Sequence, residues 1–270
     1  MRFTIASRFF PYLGGKHYLA KRLLRLAPPH RVYVEVFGGA AALLLAKQPS
    51  LIEVYNDLDS SLVNLFTVVR DQRQKFEERL KWLPYSRELY SRFTKDLDAG
   101  RITDPVERAV AFCYCMRAAF SGRWGAGWAY SKKTGDRARA WANFTHNIDW
   151  IADRLRKVHI DHLDYKRCIK NWDTPDTFFF LDPPYPETHQ ARTVIPFQEQ
   201  DHKNLAKILH RVKGKWLLTY NDHPLVRQLY RGKGLIITKI RCQMASRKWG
   251  QGPRVGKGAL VNLAIRNYKL

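Results

Sequence analysis

The chain has 270 residues, 45% of them hydrophobic, with 47 Lys and Arg against 24 Asp and Glu and a formal net charge of +23. That length and apolar content suffice for a full core, as one large domain or one domain with an insertion, and aromatics at 13% exclude a disordered basic tail. The charge favours a polyanionic partner. No stretch approaches the roughly 20 apolar residues that cross a membrane, and the start Met1-Arg2-Phe3-Thr4, soon broken by Arg8, is not read as a signal peptide.

Tyr12-Leu13-Gly14-Gly15-Lys16 comes first. Its glycines let backbone pass close to a ligand, and Lys16 offers a positive charge to a carboxylate or phosphate. The spacing is not that of a P-loop, and by itself the segment reads as a basic turn. Val32–Val36 is strand-like, and Ala40–Lys47 predicts a helix. Between them Glu35-Val36-Phe37-Gly38-Gly39 makes a strand–turn–helix crevice of the kind that binds nucleotides or adenosyl groups, or a tight turn packed on the sheet. Glu35, at the strand end, is placed to meet a cationic or amine group. Leu51–Tyr55 is strand-like again and ends in Asn56-Asp57. An acid about 20 residues past a Gly-rich turn is where such folds hold ribose hydroxyls; it also caps helices. Leu62, Leu65, Phe66 and Val69 give Ser60–Arg70 helical spacing.

This βαβα rhythm predicts a doubly wound, mostly parallel α/β sheet. It stops near Asp71. Residues 71–155 read as a mostly helical insertion, so that 1–70 and 156–270 make one domain. A Gly- and Trp-rich stretch, Phe120 to Tyr130, interrupts the helices, and Lys132, Lys133, Arg137 and Arg139 follow it. Four cysteines, Cys113, Cys115, Cys168 and Cys242, form no zinc pattern and read as reduced thiols of a cytosolic protein. Strands resume at 158–160, 177–181, 215–220, 235–240 and 260–265, and the Gly- and Arg/Lys-rich tract from Arg247 to Gly258 reads as a loop.

The later strands carry the sharpest motifs. Past 158–160 comes Asp161-His162-Leu163-Asp164-Tyr165; Asp164 can accept from an adenine amino group or equally cap the following helix. The apolar run Thr177–Leu181 enters Asp182-Pro183-Pro184-Tyr185. Proline lacks an N–H, so this stretch offers carbonyls and few donors. Asp182 adds oxygens that only accept when ionised, and Tyr185 adds a flat face. Such a cradle suits the exocyclic amine of a nucleobase lifted from its helix; the plainer reading is a Pro-rich turn. Thr219-Tyr220-Asn221-Asp222 ends the next strand and can line the same pocket.

These motifs, in this order from residue 12 to about 221, resemble the D12-class (Dam-like) DNA adenine N6-methyltransferases, phage and prophage forms in particular. The residues that carry the likeness are Tyr12 to Lys16, Tyr33 to Gly39, Val54 to Asp59, Ser121-Gly122, Asp164-Tyr165, Asp182 to Tyr185 and Thr219 to Asn221. Val36 stands where the family often has proline, and Ala40 and Ala41 replace glycines. The resemblance implies S-adenosylmethionine as methyl donor, a flipped adenine in double-stranded DNA as acceptor, and a target-recognition role for the insertion. It implies that Lys16 holds the methionine carboxylate region, Phe37 with Gly38 and Gly39 the adenosyl group, Asp57 the ribose, and Asp164 the cofactor adenine. Tyr12, Gly14, Gly15, Glu35, Tyr165 and Asp182 belong to the same cofactor set. Asp182 and the Pro183 carbonyl would accept the N6 hydrogens beside Pro184, and Tyr185 would stack on the base.

The chemistry so implied needs no metal. For DNA, Ser121, Gly122, Arg123 and Trp124 are the expected groove-entering segment, Asn221 a pocket contact, and Lys132, Lys133, Arg137, Arg139, Arg247 and Lys248 the phosphate contacts, joined by Arg254 and Lys257. A Trp-anchored hairpin packed on its own helices is the alternative for Trp124. The expected protein is a monomer in the bacterial or host cytoplasm, serving phage protection, restriction–modification or replication marking. Rival readings are an RNA adenine, cytosine-N4 or glutamine amino-methyltransferase, and a non-catalytic nucleic-acid-binding homologue.

Overall fold

Thr177–Leu181, buried along its whole length, lies at the centre of a seven-stranded sheet, as a continuous apolar run with both faces covered should. The computed structural model describes residues 9–12, 14–131, 135–145, 148–186, 196–232, 234–242 and 260–270. Its strands are β1 (Val32–Glu35), β2 (Ile52–Asn56), β3 (Val158–Asp161), β4 (Thr177–Leu181), β5 (Lys215–Asn221), β6 (Ile236–Cys242) and β7 (Leu260–Arg266), in the order β3-β2-β1-β4-β5-β7-β6. The pairs from β3 through β5 are parallel. β7 runs antiparallel to both β5 and β6. The predicted mixed, mostly parallel sheet is therefore present. Its winding reverses at β1, which lies between β2 and β4, and ligands of open α/β sheets bind at the carboxyl ends of strands beside such a reversal.

Strand alternation divides the core in two. Tyr33, Tyr55, Phe178, Phe180 and Leu217 face a cluster built with α1 (Ala20–Leu24), α2 (Ala42–Ala46), α3 (Ser60–Asp71) and α6 (Pro105–Ala118). Val34, Val54, Phe179, Leu181, Trp216, Leu218 and Tyr220 face α9 (Tyr165–Trp172), α10 (Glu199–Leu209) and α11 (Pro224–Leu229). The stretch read as helical holds α4 (Arg73–Lys81), α5 (Arg87–Asp98), α6, α7 (Arg137–Thr145) and α8 (Asp149–Leu155). These helices pack on the sheet through α3, which touches both α6 and α8, and their apolar residues continue the first cluster.

The helix ends follow local chemistry. Asp59 accepts from Ser61 N at the start of α3, Asp104 precedes Pro105 at the start of α6, and Gln198 and Asp201 form a capping box on α10. One boundary differs from expectation. The helix predicted over Ala40–Lys47 is reduced to Ala42–Ala46, because Ala41 adopts a left-handed conformation with φ 53°. That geometry costs a Cβ-bearing residue about 1–2 kcal/mol and delays the helix.

Candidate active site at the carboxyl ends of β1, β4 and β5

The turn after β1 is held from several sides. Asn56, buried at the end of β2, donates to Val36 O (2.9 Å) and Leu163 O (3.0 Å) and accepts from Leu163 N (2.9 Å). One amide thus ties the ends of β1 and β2 to the loop after β3. Gly38 leaves no room for a side chain: a Cβ there would sit 2.2 Å from the Tyr55 ring. Tyr55 in turn donates its hydroxyl to Gly39 O at 2.8 Å. Gly39 N donates to Asp57 Oδ2, and Asp59 N to Asp57 Oδ1, both at 2.8 Å. Burial pushes the Asp57 carboxyl up to about 6, against the pull of those backbone N–H groups. Tyr12 leans over the turn, its ring 3.2 Å from where a Gly39 Cβ would lie.

Glu35 is placed differently from the expected ligand contact. Glu35 is only 1% exposed and turns under the crevice, where Oε1 accepts from Leu43 N (3.2 Å) and Leu44 N (3.3 Å) at the start of α2. Burial raises its pKa to about 8. Asp164 caps α9 by accepting from Lys166 N at 2.9 Å.

The carboxylate of Asp182, just past β4, is the most heavily contacted group of the edge. Lys16 Nζ donates to Oδ2 at 2.6 Å. Thr219 Oγ1 (2.6 Å) and the Tyr185 hydroxyl (3.1 Å) donate to Oδ1. Lys16 also donates to Gly14 O (2.8 Å) and lies 4.8 Å from the centre of the Tyr185 ring. Burial works against the Lys16 ammonium, but Asp182 and Tyr185 outweigh it and hold its pKa above the ordinary value. Gly14 and Gly15 serve the turn that delivers this lysine, with Gly15 N donating to Tyr12 O at 3.0 Å. Pro183 is buried and Pro184 half-buried beside them.

Aromatic rings line the ground between Asp57 and Asp182. Phe37 stacks on Tyr165 (centroids 5.8 Å, 28°) and meets Phe197 edge-on at 5.7 Å. Phe197 packs on His202, His202 Nδ1 lies 2.7 Å from the Tyr220 hydroxyl, and the Tyr220 ring is 5.6 Å from that of Tyr185. Phe197, Asn56 and Tyr55 were given no role at the site from sequence, and Thr219 was expected only as part of a strand end that can line the pocket. Asn56 and Thr219 stood within the motifs, at strand ends where alternation points side chains into the crevice. Phe197 had no sequence signal, since it belongs to none of the motifs.

Within residues 71–155, Gly122 (φ +64°) packs on the segment that leads to Lys16: a Cβ there would lie 2.5 Å from Pro11. Ser121 belongs to the same short turn, Phe120–Gly122. Arg123 is exposed. Trp124 instead stacks on Phe112 (5.7 Å, 26°) and donates Nε1 to Asp98 at 3.1 Å. The packed hairpin, not the groove-entering ring, describes Trp124. Two aromatics of the stretch are exposed, Phe120 at 52% and Tyr130 at 55%; Tyr130 is stacked on Trp128 with the Arg87 guanidinium 5.5 Å from its ring centre. Arg137 and Arg139 are exposed. Asn221, at the end of β5, has a buried Oδ1 with no hydrogen-bond partner among the described residues. Lys132, Lys133, Arg247, Lys248, Arg254 and Lys257 lie outside the described residues. Among the described residues, no cluster of His, Cys, Asp and Glu is arranged to hold a metal ion, and no helix is long and apolar enough to cross a membrane.

Comparison with known proteins assigns this edge to a family. The model of the D12 class N6 adenine-specific DNA methyltransferases matches residues 12–244, a span that includes Lys16, the β1 turn, Asp182 and Thr219. The chain is 24% identical over 253 residues to the DNA adenine methylase of Haemophilus influenzae, covering 86% of each chain. It is 23% identical over 252 residues to that of Vibrio cholerae, covering 86% of this chain and 87% of the relative. It is 22% identical over 255 residues to that of Escherichia coli K12, covering 88% and 89%. The chain belongs to the D12 class N6 adenine-specific DNA methyltransferase family and is an adenine-specific DNA methyltransferase.

Proposed function

We propose that the methyl donor is S-adenosylmethionine, held across the ends of β1 and β2, and that the acceptor is the N6 amine of an adenine flipped out of duplex DNA against Asp182. The residues fit that donor. An adenosyl group needs a flat apolar slot, an acceptor for its diol and close backbone. Phe37, Tyr165 and Phe197 form the slot, Asp57 is the acceptor, and Gly38, with no Cβ, lets the turn lie tight on the Tyr55 ring beneath it. Lys16 gives two of its three ammonium protons to Gly14 O and Asp182 and would offer the third to a methionine carboxylate. Asp164, as the cap of α9, and Glu35, as the brace of α2, support the slot from outside. Bound there, S-adenosylmethionine supplies a methyl carbon activated by the adjoining sulfonium.

The observation that carries the reading is the pattern of donors on Asp182. An ionised carboxylate has about four acceptor positions. Thr219 and Tyr185 take those of Oδ1, and Lys16 takes one of Oδ2, which leaves a position on Oδ2. Adenine N6 is a poor nucleophile because its lone pair is conjugated with the ring. Asp182 Oδ2 and the Pro183 carbonyl accept its two hydrogens and favour a pyramidal nitrogen. With N6 so held, the donor would supply its methyl carbon to the nitrogen lone pair, and the proton displaced from N6 would pass to Asp182 Oδ2 and on to water. Positioning and fixed dipoles supply the acceleration. Tyr185 stacks on the base after turning from its bond to Asp182.

For DNA, residues 71–155 act as the target-reading part. Arg123 reads base edges, with Phe120 and Tyr130 as the exposed rings of the segment, and Asn221 meets the base in the pocket. Arg137, Arg139, Lys132, Lys133, Arg247 and Lys248 meet phosphates. The protein works as a monomer on DNA in the cytoplasm. The test is modification-sensitive sequencing of a methylation-free host expressing the protein. N6-methyladenine should appear at a defined motif and vanish with Asp182→Ala, whose fold should be intact by circular dichroism. Methylation surviving in that variant would remove Asp182 from the role given to it.

A further inference from the structure

We propose that Thr219 is a positioning residue, whose hydroxyl anchors Asp182 Oδ1 so that Oδ2 is the oxygen presented to the target amine. This rests on the reading of Asp182 as the acceptor for that amine. Leu218 of β5 is in register with Leu181 of β4, which sets Thr219 beside Asp182 at the carboxyl edge. Thr219 is 1% exposed. Its Oγ1 lies 2.6 Å from Asp182 Oδ1 and 3.3 Å from Leu181 O. A hydroxyl has one proton to give, and the shorter contact, to the carboxylate, takes it. The backbone beneath is fixed by antiparallel pairing with Ala264, and a β-branched side chain on a strand has few χ1 choices.

That rigidity matters because the terminal torsion of an aspartate is broad and roughly two-fold. Lys16 at 2.6 Å would attract either oxygen equally, so an ammonium alone does not choose between them. The Tyr185 hydroxyl holds Oδ1 at 3.1 Å, but Tyr185 is also the ring expected to turn toward the base. Thr219 is the donor that keeps Oδ1 engaged throughout, and thereby keeps the open acceptor position of Oδ2 toward the substrate. The alternative is that Thr219 merely satisfies its own hydroxyl on Leu181 O, in which case the hydroxyl has no consequence for rate.

The experiment is single-turnover methylation of a duplex carrying an established target site, at saturating DNA and S-adenosylmethionine, with the full chain. Thr219→Val keeps the shape and removes the donor; Thr219→Ser keeps the donor; Asp182→Ala is the control. The expected result for Thr219→Val is a rate about 10- to 100-fold lower, the kinetic equivalent of one charge-assisted hydrogen bond. Its Kd for donor and for DNA should stay within about twofold of wild type, and Thr219→Ser should restore most of the rate. A Val variant as fast as wild type, or a Ser variant as slow as Val, overturns the proposal. So does a Val variant whose only defect is in binding. If Asp182→Ala itself keeps its rate, the reading of Asp182 fails and Thr219 falls with it; if only the Thr219 arms fail, Asp182 stands.

Discussion

Two carboxylates stand at the ends of β2 and β4, on either side of β1, and their surroundings set them apart. Asp182 faces an ammonium and two hydroxyls. Asp57 faces only backbone N–H groups and a neighbouring acid, and burial pushes it from 3.8 up to about 6. A carboxyl that must accept from a ribose diol does so best when ionised. Donor affinity should therefore be full above about pH 7 and fall as pH drops through about 6, by up to tenfold per pH unit for one proton. Folding responds with the opposite sign. Between about 4 and 6 the native state binds the proton that the unfolded chain releases, so this group's contribution to stability declines as pH rises through that window. Calorimetric titration of S-adenosylmethionine from about pH 5 to 8 checks the binding limb. Asp57→Asn should bind more weakly and without the inflection; a wild-type curve flat across that range would sink the ribose assignment.

At the level of elements, β1, its turn and α2 act as one unit whose hidden brace is Glu35. The motif Glu35-Val36-Phe37-Gly38-Gly39 was legible as a strand–turn–helix crevice because glycine after an apolar strand has few other meanings. That Glu35 points beneath the crevice was not, since a strand-end acid looks the same from sequence whichever face it takes. Tyr33, two residues back on the same face, lies in the core cluster, and that alternation was the available clue. Trp124 shows the same limit: a Gly- and Trp-rich segment marks a turn, but only Phe112 and Asp98, brought in by α6 and α5, decide that the ring is packed. The brace makes a prediction. With its pKa near 8, Glu35 is mostly protonated at neutral pH, so Glu35→Gln should fold within about 1 kcal/mol of wild type. Glu35→Ala leaves two N–H groups of α2 unpartnered and should cost about 3 kcal/mol. Because the folded pKa is raised, native Glu35 is progressively destabilising as pH rises from about 5 through about 8, and the Gln variant should gain on wild type over that interval. Denaturant titrations at about pH 6 and 9 read both effects. Equal losses for Gln and Ala at the lower pH would show that Glu35 works as an anion.

For the whole molecule, the order of strand-end motifs was enough to foresee a doubly wound sheet, because each motif falls where a parallel strand must end. The antiparallel β7 and the aromatic slot completed by Phe197 depend on long-range pairing that local patterns do not encode. The net charge of +23 acts at this scale too, and it separates two kinds of contact. A basic side chain on a phosphate releases counterions, and each such contact adds about 0.9 to the slope of log K against log salt. A side chain on a base edge changes which sequence is bound. Arg139, exposed on α7, belongs to the first kind as proposed here, and Arg123 to the second. Arg139→Ala should weaken binding to every duplex alike and reduce the salt slope by about 1. Arg123→Ala should cost about 1–3 kcal/mol on the preferred site, relax the choice of one base pair and leave binding to unrelated duplexes nearly unchanged. Fluorescence anisotropy at several salt concentrations, on the methylated motif and on a scrambled duplex, distinguishes them. If Arg123→Ala lowered both affinities equally and took about 1 off the slope, Arg123 would be a phosphate contact and the reader of the target would have to be sought elsewhere in residues 71–155.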